Sequence, residues 1–131
     1  MTFLCDTNIV SELARPTPNA GVLAWAENVQ VISLSVVTLE EIFYGLALRP
    51  NARVEGWLED FLSRYVRVLD VTPSVTRLAG GLRGRLAARG KTRTQADMLI
   101  GATAVIHGLT LVTRNTKDFT GAEVRLLNPF T

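Results

Sequence analysis

The sequence predicts an α/β fold with a parallel sheet covered by helices on both faces. Three observations carry that prediction. Short apolar or β-branched runs alternate with segments of helical period along the chain. A composition of 47% hydrophobic and 20% charged residues belongs to a compact globular protein. No repeat, low-complexity tract or linker interrupts the 131 residues, so residues 1–131 are read as one domain, long enough to bury a core without disulfides or a structural metal.

Thr2 to Cys5 is a short apolar run that stops at Asp6-Thr7-Asn8, the pattern of a buried strand followed by a helix-capping turn. Ile9 to Ala14 makes a short helix, ended by the Pro16-Thr17-Pro18 turn. From Asn19 onward Val22, Trp25, Ala26 and Val29 recur at helical spacing, and Val31 to Leu34 forms a second strand. Ser35 opens a helix carrying Val36, Leu39, Ile42, Phe43 and Leu46, which stops before Pro50. Val54, Trp57, Leu58, Phe61, Leu62 and Tyr65 mark another amphipathic helix, and Val66 to Val71 alternates like a strand. Pro73 suits the first position of a helix whose stripe of Val75, Leu78, Ala79, Leu82 and Leu86 turns its arginines outward. Thr94 starts a helix whose body, Met98 to Ile106, is almost wholly apolar and therefore buried, with Gly108 as its C-cap. Leu109 to Thr113 is a strand, Asn115 to Phe119 a helical turn, and Val124 to Leu127 the last strand.

Composition excludes several classes of function. No stretch approaches the about 18 uninterrupted apolar residues of a membrane span, and acidic Asp6 comes too early for a signal peptide, so the expected location is the cytoplasm. A single cysteine, Cys5, rules out an internal disulfide. With His107 as the only histidine there is no Cys/His zinc site and no Ser/His/Asp triad, and His107 itself falls at the end of a buried helix. Gly80-Gly81-x-x-Gly84 lies within a helical stripe, not after a strand, so it is no dinucleotide loop. Trp25 and Trp57 lie on apolar stripes and are expected in the core or a dimer interface. Net charge is only +2, yet Val71 to Ala96 contains no acid and carries Arg77, Arg83, Arg85, Arg89, Lys91 and Arg93. Such a stretch is either a solvated helix face or a surface for a phosphate backbone.

The acids fall at helix starts. Asp6 follows the first strand, Glu41 lies in the helix after the second, Asp97 in the first turn of the most buried helix, and Asp118 just after the strand ending at Thr113. Each has a simple structural role open to it: Asp6 as an N-cap, Thr38-x-x-Glu41 and Thr94-x-x-Asp97 as capping boxes, Asn115-x-x-Asp118 as a similar pattern. Capping scatters acids over unrelated helix starts. Catalysis requires them to converge, and in a parallel sheet the carboxyl ends of the strands line a common crevice where they can. Converging carboxylates repel one another unless a cation sits among them, and oxygen ligands without Cys/His pairs suit Mg²⁺ or Mn²⁺. Such an ion promotes in-line displacement at a phosphodiester.

Four segments then carry a family likeness. Leu4-Cys5-Asp6-Thr7-Asn8-Ile9-Val10-Ser11-Glu12 resembles the opening of PIN-domain toxins of the VapC/FitB kind. Ser35-Val36-Val37-Thr38-Leu39-Glu40-Glu41-Ile42-x-x-Gly45 is similar to their second motif and singles out Glu41 over Glu40. Ala96-Asp97-Met98-Leu99-Ile100-Gly101-Ala102-Thr103-Ala104 resembles the third, and Leu111-Val112-Thr113-Arg114-Asn115-Thr116-Lys117-Asp118-Phe119 the fourth. The Arg15-Pro16-x-Pro18-Asn19 turn and the terminal Asn128-Pro129-Phe130 are FitB-like as well. One position departs, because Asn115 stands where the FitB-type motif has an acid; Asp118, one turn later, is the candidate replacement.

The resemblance implies a three-layer α/β/α PIN-like domain with about five parallel strands in the order 3-2-1-4-5. It implies an Mg²⁺ or Mn²⁺ site on Asp6 and Asp97 with Glu41 and Asp118 assisting, Asp118 or Asn115 positioning the attacking water, and RNA hydrolysis as the reaction. It also implies a homodimer and a cognate antitoxin, through which operator DNA is reached. The RNA contacts are expected from Arg83, Arg85, Arg89, Lys91 and Arg93. Two rival readings are a weakly catalytic or non-catalytic partner in an antitoxin–DNA autorepression complex and a phosphatase using Asp6 as nucleophile.

Overall fold

The computed structural model describes residues 2–131. Five strands, β1 (Phe3–Cys5), β2 (Ile32–Ser35), β3 (Val66–Leu69), β4 (Thr110–Val112) and β5 (Leu126–Leu127), form one sheet in the order β3-β2-β1-β4-β5. Every neighbouring pair is parallel. Six helices connect them: α1 (Thr7–Leu13), α2 (Ala20–Glu27), α3 (Val36–Leu48), α4 (Ala52–Tyr65), α5 (Pro73–Ala88) and α6 (Gln95–Ile106).

Alternation along the central strands divides the core into two layers. Leu4 and Leu111 point to one side, where Val75, Ala79, Leu82 and Leu86 of α5 meet Met98, Ile100, Ala102 and Ala104 of α6. Cys5 and Val112, the next residues along, point to the other side and pack with Ile9, Val10, Val22, Leu58 and Phe61. The Cys5 thiol is fully buried; burial, and then the Asp6 charge, push it far above the ordinary thiol range, so it packs as a hydrophobe and is chemically inert. Both tryptophans serve the core, Trp25 edge-on to Phe3 and Trp57 stacked on Phe61.

The elements follow the sequence expectation, with trimmed ends. The last strand shrinks to Leu126–Leu127 because Gly121 (φ 88°) and Glu123 (φ 61°) turn the chain just before it. Val31 lies outside β2 and is exposed. Gly108, at φ 65°, follows the C-cap His107 and ends α6 in the left-handed conformation. That histidine is exposed. Among the described residues no helix is long and apolar enough to cross a membrane.

The order of strands matters most for the site. From β1 the chain runs outward to β2 and β3 on one side and later to β4 and β5 on the other. Connections leaving β1 and β4 therefore diverge, opening a crevice at their carboxyl ends, where Asp6 and Thr113 emerge.

Candidate active site

Asp6 is the first residue past β1, only 5% exposed, and the N-cap of α1. Its Oδ1 accepts the Thr7 N–H at 2.8 Å, while Oδ2 accepts the Thr113 hydroxyl at 2.8 Å and the Asn8 amide at 3.1 Å. Asn8 also takes the Arg114 N–H on its Oδ1 at 3.0 Å, and Thr113 Oγ1 accepts the Asn115 N–H at 3.0 Å. This network joins the turn after β1 to the turn after β4 and holds the Asp6 carboxylate in one orientation.

Glu41 does not cap its helix. Ser35 is the N-cap of α3, accepting the Val37 N–H at 3.1 Å, and Thr38 is buried one turn inside. Free of that duty, Glu41 accepts the Thr7 hydroxyl at 2.6 Å, a bond between residues 34 positions apart. The Thr94-x-x-Asp97 pattern does act as a cap, with Thr94 Oγ1 accepting the Asp97 N–H at 3.1 Å. Asn115 makes no capping bond with its side chain, and the Asp118 N–H instead meets the Asn115 carbonyl at 3.0 Å in the 3₁₀ turn Thr116–Phe119.

All five predicted residues, Asp6, Glu41, Asp97, Asn115 and Asp118, line one cleft of about 450 Å³, together with Thr7, Asn8, Ser11, Glu12, Arg15, Arg114 and Phe130. Their electrostatics agree with that placement. The Asp97 carboxyl is pushed above its ordinary value by burial first; the Thr94 side chain opposes the shift, and the charges of Asp6, Asp118 and Glu41 add to it. Acids from four separate segments of chain therefore feel one another.

The PIN-domain family pattern matches residues 3–123 of this chain. The chain belongs to the PIN-domain family. It is 34% identical to Toxin FitB of Neisseria gonorrhoeae, over 98% of both chains. It is equally 34% identical to VapC ribonuclease Y4jK of Sinorhizobium fredii, over 98% of this chain and 97% of the relative. The solved structure of FitAB bound to an IR36 DNA fragment superposes with a TM-score of 0.84 at 32% identity, covering 99% of this chain and 96% of that one.

The donors of this PIN cleft are all oxygens, which fits a hard divalent cation. Among the described residues no three His, Cys, Asp or Glu side chains are near enough to enclose one ion between them. A hard cation that keeps several of its waters needs only one or two carboxylates from the protein. Asp6 and Asp97, with Glu41 and Asp118, are the residues available to it.

Several residues in or directly behind the PIN cleft carry no role in the sequence reading. Thr7 and Thr113 are the hydroxyls that orient Glu41 and Asp6. Glu12 is buried at 7% exposure, paired with Arg15 at 3.0 Å and accepting the Asn19 N–H at 2.7 Å. Burial alone would raise its carboxyl, but the Asn19 bond, Arg15 and the Arg114 charge together hold it below the usual carboxylate range. The only available signal was their place inside the four motif segments. Of the predicted basic residues, Arg83, Arg85, Arg89 and Lys91 are exposed and Arg93 is half-buried, donating to the Thr120 carbonyl at 3.1 Å. None of these five lines the PIN cleft; its cations are Arg15 and Arg114.

Proposed function

We propose that this PIN domain is the toxin of a type II toxin–antitoxin pair, a divalent-metal-dependent endoribonuclease that hydrolyses RNA phosphodiester bonds. The observation that carries this reading is the convergence of Asp6, Glu41, Asp97 and Asp118, from four distant segments, on one cleft at the carboxyl ends of the strands. Relatives named as a toxin and as a ribonuclease match nearly the whole chain.

The chain's own groups divide the work by chemistry. Asp6, locked by Thr7, Asn8 and Thr113, presents a carboxylate of fixed direction, and Glu41 is steadied by Thr7. The acids of the cleft repel a phosphate, so the scissile group can settle among them only after their charge is offset. A Mg²⁺ or Mn²⁺ would be held by Asp6 and Asp97, with Glu41 and Asp118 assisting from nearby, and would supply that offset and Lewis acidity toward the phosphodiester. Asn115 can orient a water by hydrogen bonding but cannot take its proton, whereas Asp118 can do both. Asp118 is therefore assigned the base role and Asn115 the positioning role.

A cognate antitoxin is the protein partner in this reading, with operator DNA reached through it; the similar solved FitAB structure is bound to an IR36 DNA fragment. Homodimerisation and a cytoplasmic location belong to the same reading. The basic face of Arg83, Arg85, Arg89, Lys91 and Arg93 offers RNA a secondary contact away from the cleft.

The test is cleavage of structured RNAs by antitoxin-free protein in Mg²⁺ or Mn²⁺, compared with Asp6→Asn, Asp97→Asn and a chelator control. Cleavage that disappears in all three supports the assignment; equal cleavage by wild type and both variants rejects it. Operator binding by the antitoxin complex that survives Asp97→Asn, with no RNA cut, favours the non-catalytic partner instead.

A further inference from the structure

Arg114 stands out among the cations of the molecule. It lines a cleft with five carboxylates, yet its guanidinium makes no hydrogen bond or ion pair with any described residue. Its one close partner is the ring of Phe130, with the guanidinium carbon 4.7 Å from the ring centroid. The nearby acid Glu12 is already satisfied by Arg15 and the Asn19 N–H. Arg114 thus has guanidinium donors that no described residue takes up, although its charge helps keep Glu12 ionised.

Both ends of this arrangement are fastened. The Arg114 N–H is bound by Asn8, which also bonds Asp6, so the arginine's backbone is tied to the centre of the site. Phe130 sits in a tail that is clamped to the turn before α2. Asn19 donates to the Thr131 carbonyl at 3.0 Å and accepts the Thr131 N–H at 3.1 Å, and the Gly21 N–H meets Thr131 Oγ1 at 3.2 Å. Gly21 is required for this approach, since a Cβ there would lie 2.2 Å from the Pro129 carbonyl oxygen. Phe130 also packs against the core layer beneath α1 and α2. The two FitB-like flanking features of the sequence thus meet each other and hold one aromatic ring at the mouth of the acid cleft.

We infer that Arg114, seated on Phe130, binds a backbone phosphate of the RNA strand beside the scissile bond, and that the Asn19–Thr131 clamp positions it. The inference rests on the ribonuclease reading for its substrate class. A planar guanidinium held on a ring has lost side-chain freedom before substrate arrives, and phosphate is the anion that matches its fork of donors. The arginines of the basic face on α5 have no such ring contact among the described residues and stand away from the cleft.

The experiment measures binding of a short single-stranded RNA by fluorescence anisotropy without divalent metal, over a series of salt concentrations, alongside cleavage with Mg²⁺. Arg114→Gln is expected to weaken binding about tenfold, the scale of one charge-assisted hydrogen-bonded contact. It should also reduce the salt slope by about 0.7, as for one phosphate contact on a single strand. In cleavage, KM should rise while kcat holds. Phe130→Leu should weaken binding about two- to fivefold, the scale of an exposed cation–π contact, and Phe130→Tyr should restore it. Unchanged affinity and salt slope in Arg114→Gln, with the wild type binding and cutting RNA, overturn this inference and leave the ribonuclease reading standing. A wild type that binds RNA through Arg114 but never cuts it overturns the ribonuclease reading alone, and a wild type that neither binds nor cuts overturns both.

Discussion

An N-cap carboxylate needs one oxygen for one backbone N–H, and Asp6 gives Oδ1 to Thr7 in that way. Its other oxygen takes the Thr113 hydroxyl, a group with no exposed surface, and that second bond is what makes a cap into a fixed ligand. Thr113→Val keeps the shape and removes the donor, so it should cost about 1–2 kcal/mol in chemical denaturation and leave the Asn115 N–H without its acceptor. RNA cleavage should fall about tenfold or more, and Thr113→Ser should recover most of both losses. Glu12 offers a separate test through pH. Its folded carboxyl is held below the ordinary value, so its contribution is present above the unfolded value of about 4.5 and is lost as pH falls through the lower folded one. Glu12→Gln should therefore melt below wild type at pH 7, with the gap closing as the buffer is taken to acid; a gap constant with pH would exclude the ionised form as the cause. Asp6 and Asp97 were readable because each sits inside a family-like motif segment, one directly after a strand and one at the head of the most apolar helix. Thr7, Thr113 and Glu12 were not, because a hydroxyl or a paired acid gains its role only from a partner about 34 or 107 positions away, or from a turn whose shape is not local.

The same contrast holds at the level of elements. Thr94 was legible as a cap because Thr-x-x-Asp precedes an apolar run, and its Oγ1 does accept the Asp97 N–H. Thr94→Ala should lower stability by about 1 kcal/mol, measurable by denaturation. It should also lower activity beyond what that loss explains, since it frees the turn that aims Asp97 into the cleft. The Thr38-x-x-Glu41 pattern is not a cap: Ser35, read from the sequence as the start of this helix, caps α3 one turn earlier, leaving Thr38 in the interior and Glu41 free to cross to α1. Helical and strand periods did locate every element, because they report which face is buried. They did not report which strands are neighbours. That β1 lies between β2 and β4 came from the four-motif likeness, and it is this neighbour relation that makes the cleft.

Taken as a whole, the molecule carries a formal charge of +2 but gathers four of its acids at one edge of its sheet. Charges so arranged oppose folding whenever nothing neutralises them, and the Asp97 carboxyl, raised by burial first and by the charges of Asp6, Asp118 and Glu41 in addition, is destabilised when ionised. The sign follows from linkage. A carboxyl whose folded value lies above its unfolded one takes stability away as pH rises through that interval, so at neutral pH ionised Asp97 weakens the fold. In chelator, Asp97→Asn should consequently melt above wild type, since the amide keeps an oxygen for Thr94 and sheds the repelling charge. Mg²⁺ should reverse the order. An ion that binds only the folded protein adds about 2.7 kcal/mol at a hundredfold excess over its Kd, several degrees for a domain of this size, and Asp97→Asn should gain much less. Thermal melts of both proteins, with and without Mg²⁺, read the crossing directly. Were the wild type to melt at one temperature in chelator and in Mg²⁺, the cleft would not be a cation site, and four acids at the sheet edge would need another source of neutralising charge.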